Sequence, residues 1–149
     1  MSFFTGEDRF RHEQIEIYED GEMIFEEGDV CRDLYVVKSG RVKILKKTTS
    51  GPIEISQFTK GEFFGDISLL QSLPRYASAY AVGPTELLVL APAGFLLKIR
   101  RDPTFAFEML QQMSLRVKVS NDRILELMKT YQIPQDQVQV LINTLNGKS

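Results

Sequence analysis

The sequence is poor in the residue types on which metal centres and disulfide frameworks depend. Its 149 residues include one cysteine, one histidine and no tryptophan. The single cysteine, Cys31, excludes an intrachain disulfide framework and is typical of a reducing compartment. The single histidine, His12, cannot make a metal site by itself, because such a site needs several ligands. The composition therefore favours a cytoplasmic protein without a metal or a cofactor.

The chain also lacks long apolar runs and an excess of charge of one sign. No run approaches the length of about 20 apolar residues that spans a bilayer, and no basic region followed by an apolar run marks a signal peptide. The formal net charge is -2, and no basic patch of the kind that binds DNA phosphates stands out. We therefore expect neither a membrane segment nor direct DNA binding.

Catalytic motifs are missing as well. The sequence has no nucleophile elbow, no Cys–His pairing signature and no P-loop. Its many carboxylates form no recognisable pair in a cleft pattern. We therefore expect a protein that is not an enzyme.

Short β segments with regular turns between them occupy residues 15–91. Glu19-Asp20-Gly21, Ser39-Gly40 and Gly83-Pro84 are turn signals, and we predict that each separates two strands. The predicted strands are IEIY, MIF, LYVV, RVKIL, IEISQF, YASAYAV and ELLVL. Strands this short, with turns this regular, predict a mainly β domain built as an antiparallel β-roll, similar to a jelly roll.

Helices are predicted on both sides of the β-roll. Residues 1–14 form a leading segment in which we expect a short helix. Pro92 suits the first turn of a short helix, and Asp102-Pro103 predicts the capped start of a long helix that ends near Tyr131. Residues 132–149 carry one more short amphipathic helix, which leaves too little chain for a helix-turn-helix. We interpret the whole chain as a single domain.

The long helix carries a heptad pattern, in which apolar residues are spaced alternately three and four apart. Its members are Leu110, Met113, Val117, Ser120, Ile124, Leu127 and Tyr131. This seam predicts helix–helix pairing, and so a homodimer through residues 92–131, although a stripe that packs on its own barrel is the alternative. A second apolar face is available for the barrel, with Phe105, Phe107, Leu115, Val119 and Leu125.

The segment from Gly61 to Ala81, GEFFGDISLLQSLPRYASAYA, combines features of an anion site. A glycine-opened turn leads into one or two turns of helix, whose N-terminus presents unpaired N–H groups and partial positive charge. Arg75 adds a guanidinium that can bind the same anion through two hydrogen bonds, and we expect its charge to face a ligand rather than the core. Asp66 can hold a hydroxyl group, and small residues at alternate positions from Ala77 let a ligand approach closely.

A resemblance to a known family rests on two runs in this segment, Phe64-Gly65-Asp66-Ile67-Ser68-Leu69 and Pro74-Arg75-Tyr76-Ala77-Ser78. They are similar to the phosphate-binding cassette of the cyclic-nucleotide-binding domain family, which includes bacterial catabolite activator proteins and regulatory subunits of cyclic-AMP-dependent protein kinase. The resemblance extends over nearly the whole chain. It implies an eight-stranded β-roll with flanking helices that binds a cyclic nucleotide, with cyclic AMP as the expected ligand.

The resemblance also implies roles for particular residues. Arg75 would pair with the cyclic phosphate, and Asp66 would hold the ribose 2′-hydroxyl. Backbone N–H groups would complete the phosphate site at the other cassette positions, which are Gly65, Ile67, Ser68 and Ala77. In catabolite activator-like members, two adjacent hydroxyl residues of the long helix reach the adenine amino group, one from each subunit. Ser120 and Asn121 stand in those places here, and the alternative for Ser120 is a polar residue that sets coiled-coil register.

Two residues depart from the family pattern. Asp66 stands where the family usually has glutamate, so its carboxylate reaches one methylene less far. Tyr76 stands where the family usually has a small residue, and it could fill the site, turn outward or signal a different ligand.

Three hypotheses for the function follow. The first is a non-enzymatic cyclic-nucleotide sensor that acts through an unknown effector protein. The second is a degenerate fold without nucleotide binding that serves as a dimerisation or docking scaffold. The third is a metal-dependent enzyme of the cupin kind, which the single histidine opposes because that site needs two or three.

Overall fold

The computed structural model describes residues 13–147. The helix expected in residues 1–14 lies mostly outside this range and stays a prediction there, whereas Glu13 and Gln14 already belong to the first strand. In chain order the described elements are β1 (Glu13–Tyr18), β2 (Met23–Phe25), β3 (Leu34–Lys46), β4 (Ile53–Thr59), β5 (Phe63–Phe64), α1 (Asp66–Gln71), β6 (Ser78–Leu90), α2 (Pro92–Arg101), α3 (Pro103–Thr130) and α4 (Gln135–Leu145). The predicted fold class, mainly β with flanking helices, is confirmed.

The chain divides into two compact units between Ala106 and Phe107. The first unit contains the β-sheet, α1 and α2, and the second contains most of α3 and all of α4. The division falls inside a continuous helix.

The β-sheet is organised around two long antiparallel strands, β3 and β6. They pair from Leu34 opposite Leu90 to Leu45 opposite Ser78. On the outer sides, β1 and β2 pair with β6, while β4 and β5 pair with β3. All of these pairings are antiparallel, as the alternating sequence pattern predicts for a β-roll.

The prediction of separate strands on either side of Ser39-Gly40 and of Gly83-Pro84 is wrong. Both dipeptides lie within continuous strands, at points where the β3–β6 register shifts. Gly40 has a φ of +84°, and a Cβ there would lie 2.3 Å from the Pro84 carbonyl oxygen. The glycine therefore marks a bulge where two strands approach closely, and not a hairpin turn. The described part of the roll accordingly has six strands rather than the expected eight.

The core of the first unit contains a cluster of stacked aromatic rings around Phe64. Phe64 is 1% exposed and stacks between Tyr35 and Phe58, with ring centroids 5.1 and 5.7 Å away. Burial of a side chain of this size stabilises the fold by roughly 1.5–3 kcal/mol. The stacked rings fix the end of β5, directly before the cassette helix begins.

The helix boundaries agree with the capping signals in the sequence. The N–H of Phe105 donates to the Asp102 carboxylate at 3.0 Å, which caps the start of α3 as predicted. At the other end of the second unit, α4 stops before Asn146, and Gly147 takes a φ of +66°. None of the helices within residues 13–147 is long and apolar enough to cross a membrane.

Candidate functional site

The predicted anion-binding segment folds as β5, one short helix and the start of β6. Gly65 follows β5 in the left-handed conformation, with φ +84°, and α1 begins at the next residue. The first N–H groups of α1 have no acceptors within the helix, so this end carries partial positive charge. Asp66 stands in the first turn, where its negative charge is favourable.

Close neighbours, as well as the φ angle, require a glycine at position 65. A Cβ at this position would lie 2.9 Å from Arg75 Nη1 and 2.9 Å from the Asp33 carbonyl oxygen. Any other residue would therefore push the arginine away from the start of α1 or distort the backbone of Asp33. The close approach of cassette helix and arginine depends on this glycine.

The Arg75 side chain lies in the interior, with 2% of the residue exposed. Nη1 donates to the Gly65 carbonyl oxygen at 3.1 Å, and Nη2 donates to the Asp33 carbonyl oxygen at 2.7 Å. Nη2 also lies 3.7 Å from Cys31 Sγ, and the guanidinium carbon stands 4.2 Å from the centre of the Phe25 ring. The orientation of this charge toward a ligand stays a prediction. In the first unit, the carbonyl oxygens of Gly65 and Asp33 hold the guanidinium in the interior.

The Nε donor of this buried guanidinium is left over. Nε of Arg75 finds no hydrogen-bond acceptor among the described residues. The two terminal nitrogens, Nη1 and Nη2, donate to neutral carbonyl oxygens and to a thiol. A buried cation held this way has capacity for one more acceptor, and an anionic acceptor makes the stronger bond.

The loop between β2 and β3 holds both halves of the cassette. The Asp29 carbonyl oxygen accepts the Arg75 backbone N–H at 2.8 Å, and Gly28 N–H donates to the Arg75 carbonyl oxygen at 2.8 Å. From the same loop, the Arg32 guanidinium donates to the carbonyl oxygens of Ser68 and Leu69 at 3.2 and 2.9 Å. Arg32 thereby caps the carboxyl end of α1, a role that sequence reasoning missed because its partners are 36 and 37 positions away.

Tyr76 is turned outward, with 54% of the residue exposed. The Lys46 ammonium lies 4.2 Å from the centre of its ring and donates to its carbonyl oxygen at 2.7 Å. Of the alternatives for this residue, the structure therefore shows the outward rotamer. Lys46 was not predicted as part of the site, and its sequence neighbours give no signal for it.

The small residues after Arg75 behave as their alternation predicts. Ala77, Ala79 and Ala81 are at most 4% exposed and lie on the core face of the strand. Ser78 is buried as well, and its Oγ accepts the backbone N–H of Glu27 at 2.8 Å. In α1, Ser68 is 1% exposed while Ile67 is 42% exposed. The structure thus brings Gly65, Arg75 and the ends of α1 and β6 together.

Ser120 and Asn121 belong to the second unit, where both are exposed on α3. Asn121 lines a groove of about 200 Å³ between α3 and α4, together with Ile124, Leu125, Ile142, Leu145 and Asn146. The roles that the resemblance implies for these two residues stay predictions.

Burial also sets the ionisation of the tyrosine beside the cassette. Burial raises the pKa of the Tyr35 phenol well above its usual range, and the guanidinium of Arg75, 5.7 Å from the ring, acts in the opposite direction. Tyr35 therefore stays neutral at physiological pH. Within the described range, no three side chains of His, Cys, Asp or Glu lie close enough to hold a metal ion.

Comparisons with known proteins place these features in a family. Residues 15–102 match the cyclic nucleotide-binding domain family. The chain is similar to the cyclic AMP receptor protein of Thermus thermophilus, with 37% identity over 106 residues, covering 70% of this chain and 49% of that protein. It is also similar to the type II regulatory subunit of cAMP-dependent protein kinase from Drosophila melanogaster, with 38% identity over 66 residues, 44% of this chain and 18% of that one.

Solved structures agree. The Thermus thermophilus catabolite activator protein superposes with a TM-score of 0.68 at 33% identity, covering 85% of this chain and 61% of that one. A cyclic nucleotide-binding domain from Methylobacillus flagellatus gives a TM-score of 0.67 at 26% identity, with coverages of 78% and 68%. The chain spans about half the length, 49%, of the Thermus receptor that it matches in sequence. This chain belongs to the cyclic nucleotide-binding domain family.

Proposed function

We propose that this chain binds a cyclic nucleotide, cyclic AMP in the first place, and acts as a non-enzymatic sensor. The observation that carries the proposal is the guanidinium of Arg75 at the start of α1, buried and with Nε lacking an acceptor among residues 13–147. A positive helix end and an arginine fork at one place are the elements of a phosphate site.

On binding, charged oxygens of the cyclic phosphate would replace neutral oxygens as the acceptors of hydrogen bonds from Arg75. A phosphodiester carries one negative charge, and hydrogen bonds from a guanidinium to an anion are roughly twice as strong as those between neutral groups. The bonds to Gly65 and Asp33 have only the donor charged, so an anionic acceptor would compete with these two carbonyl oxygens for the guanidinium. They also hold the guanidinium near its working position, which lowers the cost of ordering it on binding.

The remaining predicted contacts concern the sugar and the base. Asp66 would accept the ribose 2′-hydroxyl, and backbone N–H groups of Gly65, Ile67, Ser68 and Ala77 would surround the phosphate. Ser120 and Asn121 would reach the base from two subunits, which requires a homodimer through α3. Support for cyclic AMP comes from the Thermus relative, which is named a cyclic AMP receptor protein.

The helices would transmit the effect of nucleotide binding to a protein partner. Nucleotide binding would shift the population between two arrangements of the cassette and the helices that follow it. The effector is a separate protein or a further part of a longer chain, and we expect it in the cytoplasm.

A second candidate function is a degenerate module that uses the fold for dimerisation or docking. The observation that favours it is the 2% exposure of Arg75, whose guanidinium already bonds to Gly65 and Asp33. In that case the arginine serves as an internal strut, and cyclic nucleotides do not displace its partners.

Isothermal titration calorimetry of the wild type with cyclic AMP, cyclic GMP and adenosine separates the two. A sensor binds at least one cyclic nucleotide with micromolar or tighter affinity and does not bind adenosine, which lacks the phosphate. Arg75→Lys keeps the positive charge but loses the paired donors of the guanidinium. We expect it to bind the cyclic nucleotide at least about tenfold more weakly. Arg100→Lys, at an exposed position of α2, is the matched control. If neither cyclic nucleotide gave a binding signal, the result would favour the dimerisation or docking scaffold.

A further inference from the structure

We propose that Lys46 is a positioning residue of the cassette, which aims the Ala77 N–H at the cyclic phosphate by holding the carbonyl oxygen of Tyr76. This inference rests on the proposed function, because it concerns how the same site is assembled. It gives a role to a residue of β3 that lies 30 positions before Tyr76 in the sequence. It also gives a role to the tyrosine that departs from the family pattern.

The geometry starts from one peptide plane. The carbonyl oxygen of Tyr76 and the N–H of Ala77 belong to the same planar trans peptide, so the two groups point in opposite directions. Lys46 Nζ donates to that oxygen at 2.7 Å. With that carbonyl held beside Lys46, the Ala77 N–H points away from Lys46, and the residues on either side of Tyr76, Arg75 and Ala77, are buried.

Lys46 is itself fixed from two further sides. Its ammonium pairs with the Glu27 carboxylate and lies 4.2 Å from the centre of the Tyr76 ring. Both partners are favourable for a cation. The Lys46 and Glu27 side chains are 29% and 17% exposed, so the pair is less screened than one on the open surface.

Glu27 links this arrangement to the rest of the cassette. Its carboxylate accepts the Lys47 backbone N–H at 3.0 Å, and its own N–H donates to Ser78 Oγ at 2.8 Å. The next residue, Gly28, donates its N–H to the Arg75 carbonyl oxygen at 2.8 Å. The peptide group before Tyr76 is therefore held by Gly28, and the peptide group after it by Lys46, whose ammonium pairs with the neighbouring Glu27.

The charge of Lys46 affects the donor as well as its direction. A hydrogen bond from an ammonium polarises the carbonyl that receives it, and polarisation along the peptide strengthens the N–H on its other end as a donor. Lys46 thereby transmits positive charge toward the phosphate through one peptide without contacting the ligand.

Four variants test the inference by calorimetry with cyclic AMP. Lys46→Met keeps most of the side-chain volume but removes the charge and the donor, and we expect about tenfold weaker binding. Lys46→Arg restores both and should bind within about threefold of wild type. Lys47→Met is the matched control, since Lys47 makes a 3.6 Å exposed pair with Glu26. Tyr76→Ala keeps the backbone carbonyl, so it should weaken binding less than Lys46→Met does.

A readout without nucleotide separates orientation from general stability. The amide nitrogen of Ala77 senses the hydrogen bond to the preceding carbonyl, so its ¹⁵N chemical shift should move in Lys46→Met and stay near wild type in Lys46→Arg and Lys47→Met. If Lys46→Met bound cyclic AMP as tightly as wild type, or left the Ala77 signal in place, the inference would be overturned while the proposed function stood. If the wild type bound no cyclic nucleotide, both would fall together.

Discussion

The carbonyl oxygen of Gly65 accepts a hydrogen bond from Arg75 Nη1 at 3.1 Å. This bond joins the residue that opens the cassette helix to the arginine ten positions later. A glycine is needed because φ is +84° and because a Cβ would lie 2.9 Å from that same nitrogen. The start of α1 and the guanidinium are therefore coupled, and a change to Gly65 or to Arg75 disturbs both.

Gly65→Ala should weaken both the fold and nucleotide binding. The matched control is Gly61→Ala, because Gly61 has φ +86° but no atom within 4 Å of a Cβ. Both variants carry the strain of a left-handed alanine, about 1–2 kcal/mol, and Gly65→Ala adds the clash with Arg75. We expect it to lose roughly 1–2 kcal/mol more of unfolding free energy than the control in urea titrations. Equal losses would show that the close approach carries no energy.

Arg75→Ala should destabilise the domain as well as abolish nucleotide binding. The substitution leaves the carbonyl oxygens of Gly65 and Asp33 without this donor and removes the contact with the Phe25 ring. We expect a loss of about 2 kcal/mol or more in the unfolding free energy. Chemical denaturation measures it, with Arg100→Ala as an exposed control. Unchanged stability would mean that the guanidinium does not support the interior in solution.

The Glu27–Lys46 contact should weaken in acid. The hydrogen bond from Lys46, followed by that from the Lys47 N–H, holds the pKa of the Glu27 carboxyl below its usual value. A depressed pKa gives stabilisation that is complete above the unfolded-state pKa, about 4.3, and is lost as the pH falls through the folded-state pKa. Nearby charges are those of Lys46, Lys47 and Glu26.

The difference in unfolding free energy between wild type and Glu27→Gln should therefore be constant from about pH 7 to 5 and shrink below about pH 4. Urea titrations at a series of pH values measure it, and Glu126→Gln on α3 controls for general acid effects. A difference independent of pH down to about 3 would contradict the assigned contact.

The proposed homodimer is best tested at Val117. Ile124 lines the groove between α3 and α4, so a charge there would also disturb packing within one chain. Val117 lies on the heptad seam and is 61% exposed. Val117→Asp should convert a dimer to a monomer by placing like charges in the pairing helices. Light scattering after size-exclusion chromatography measures the mass, and Ser114→Asp, exposed and off the seam, should leave it unchanged.

Local patterns predicted the elements well. Alternating apolar residues located β1 and β4, the apolar run MIF located β2, and the Asp102-Pro103 signal located the start of α3. The course of β3 and β6 was missed because a glycine at positive φ serves a bulge as well as a hairpin turn. Which of the two forms at Gly40 depends on Pro84 and Thr85, more than 40 positions away.

The site was predicted in outline and missed in its interior contacts. The glycine, the short helix and the arginine follow from one contiguous segment. The interior position of the Arg75 guanidinium involves the carbonyl oxygen of Asp33, 42 positions earlier in the chain. The outward turn of Tyr76 accompanies a contact with Lys46 from another strand. Sequence spacing carries no information on contacts of this kind, because strand pairing creates them.

The most direct test of cyclic nucleotide binding at Arg75 is to follow its Nε–H signal by ¹⁵N nuclear magnetic resonance during a titration with cyclic AMP. Arg75→Lys identifies the signal by removing it. Because Nε finds no acceptor among the described residues, we predict that its proton resonance moves downfield and saturates at one nucleotide per chain, while adenosine leaves it in place. A signal that stays unmoved at saturating cyclic AMP and cyclic GMP would contradict a nucleotide site at this arginine.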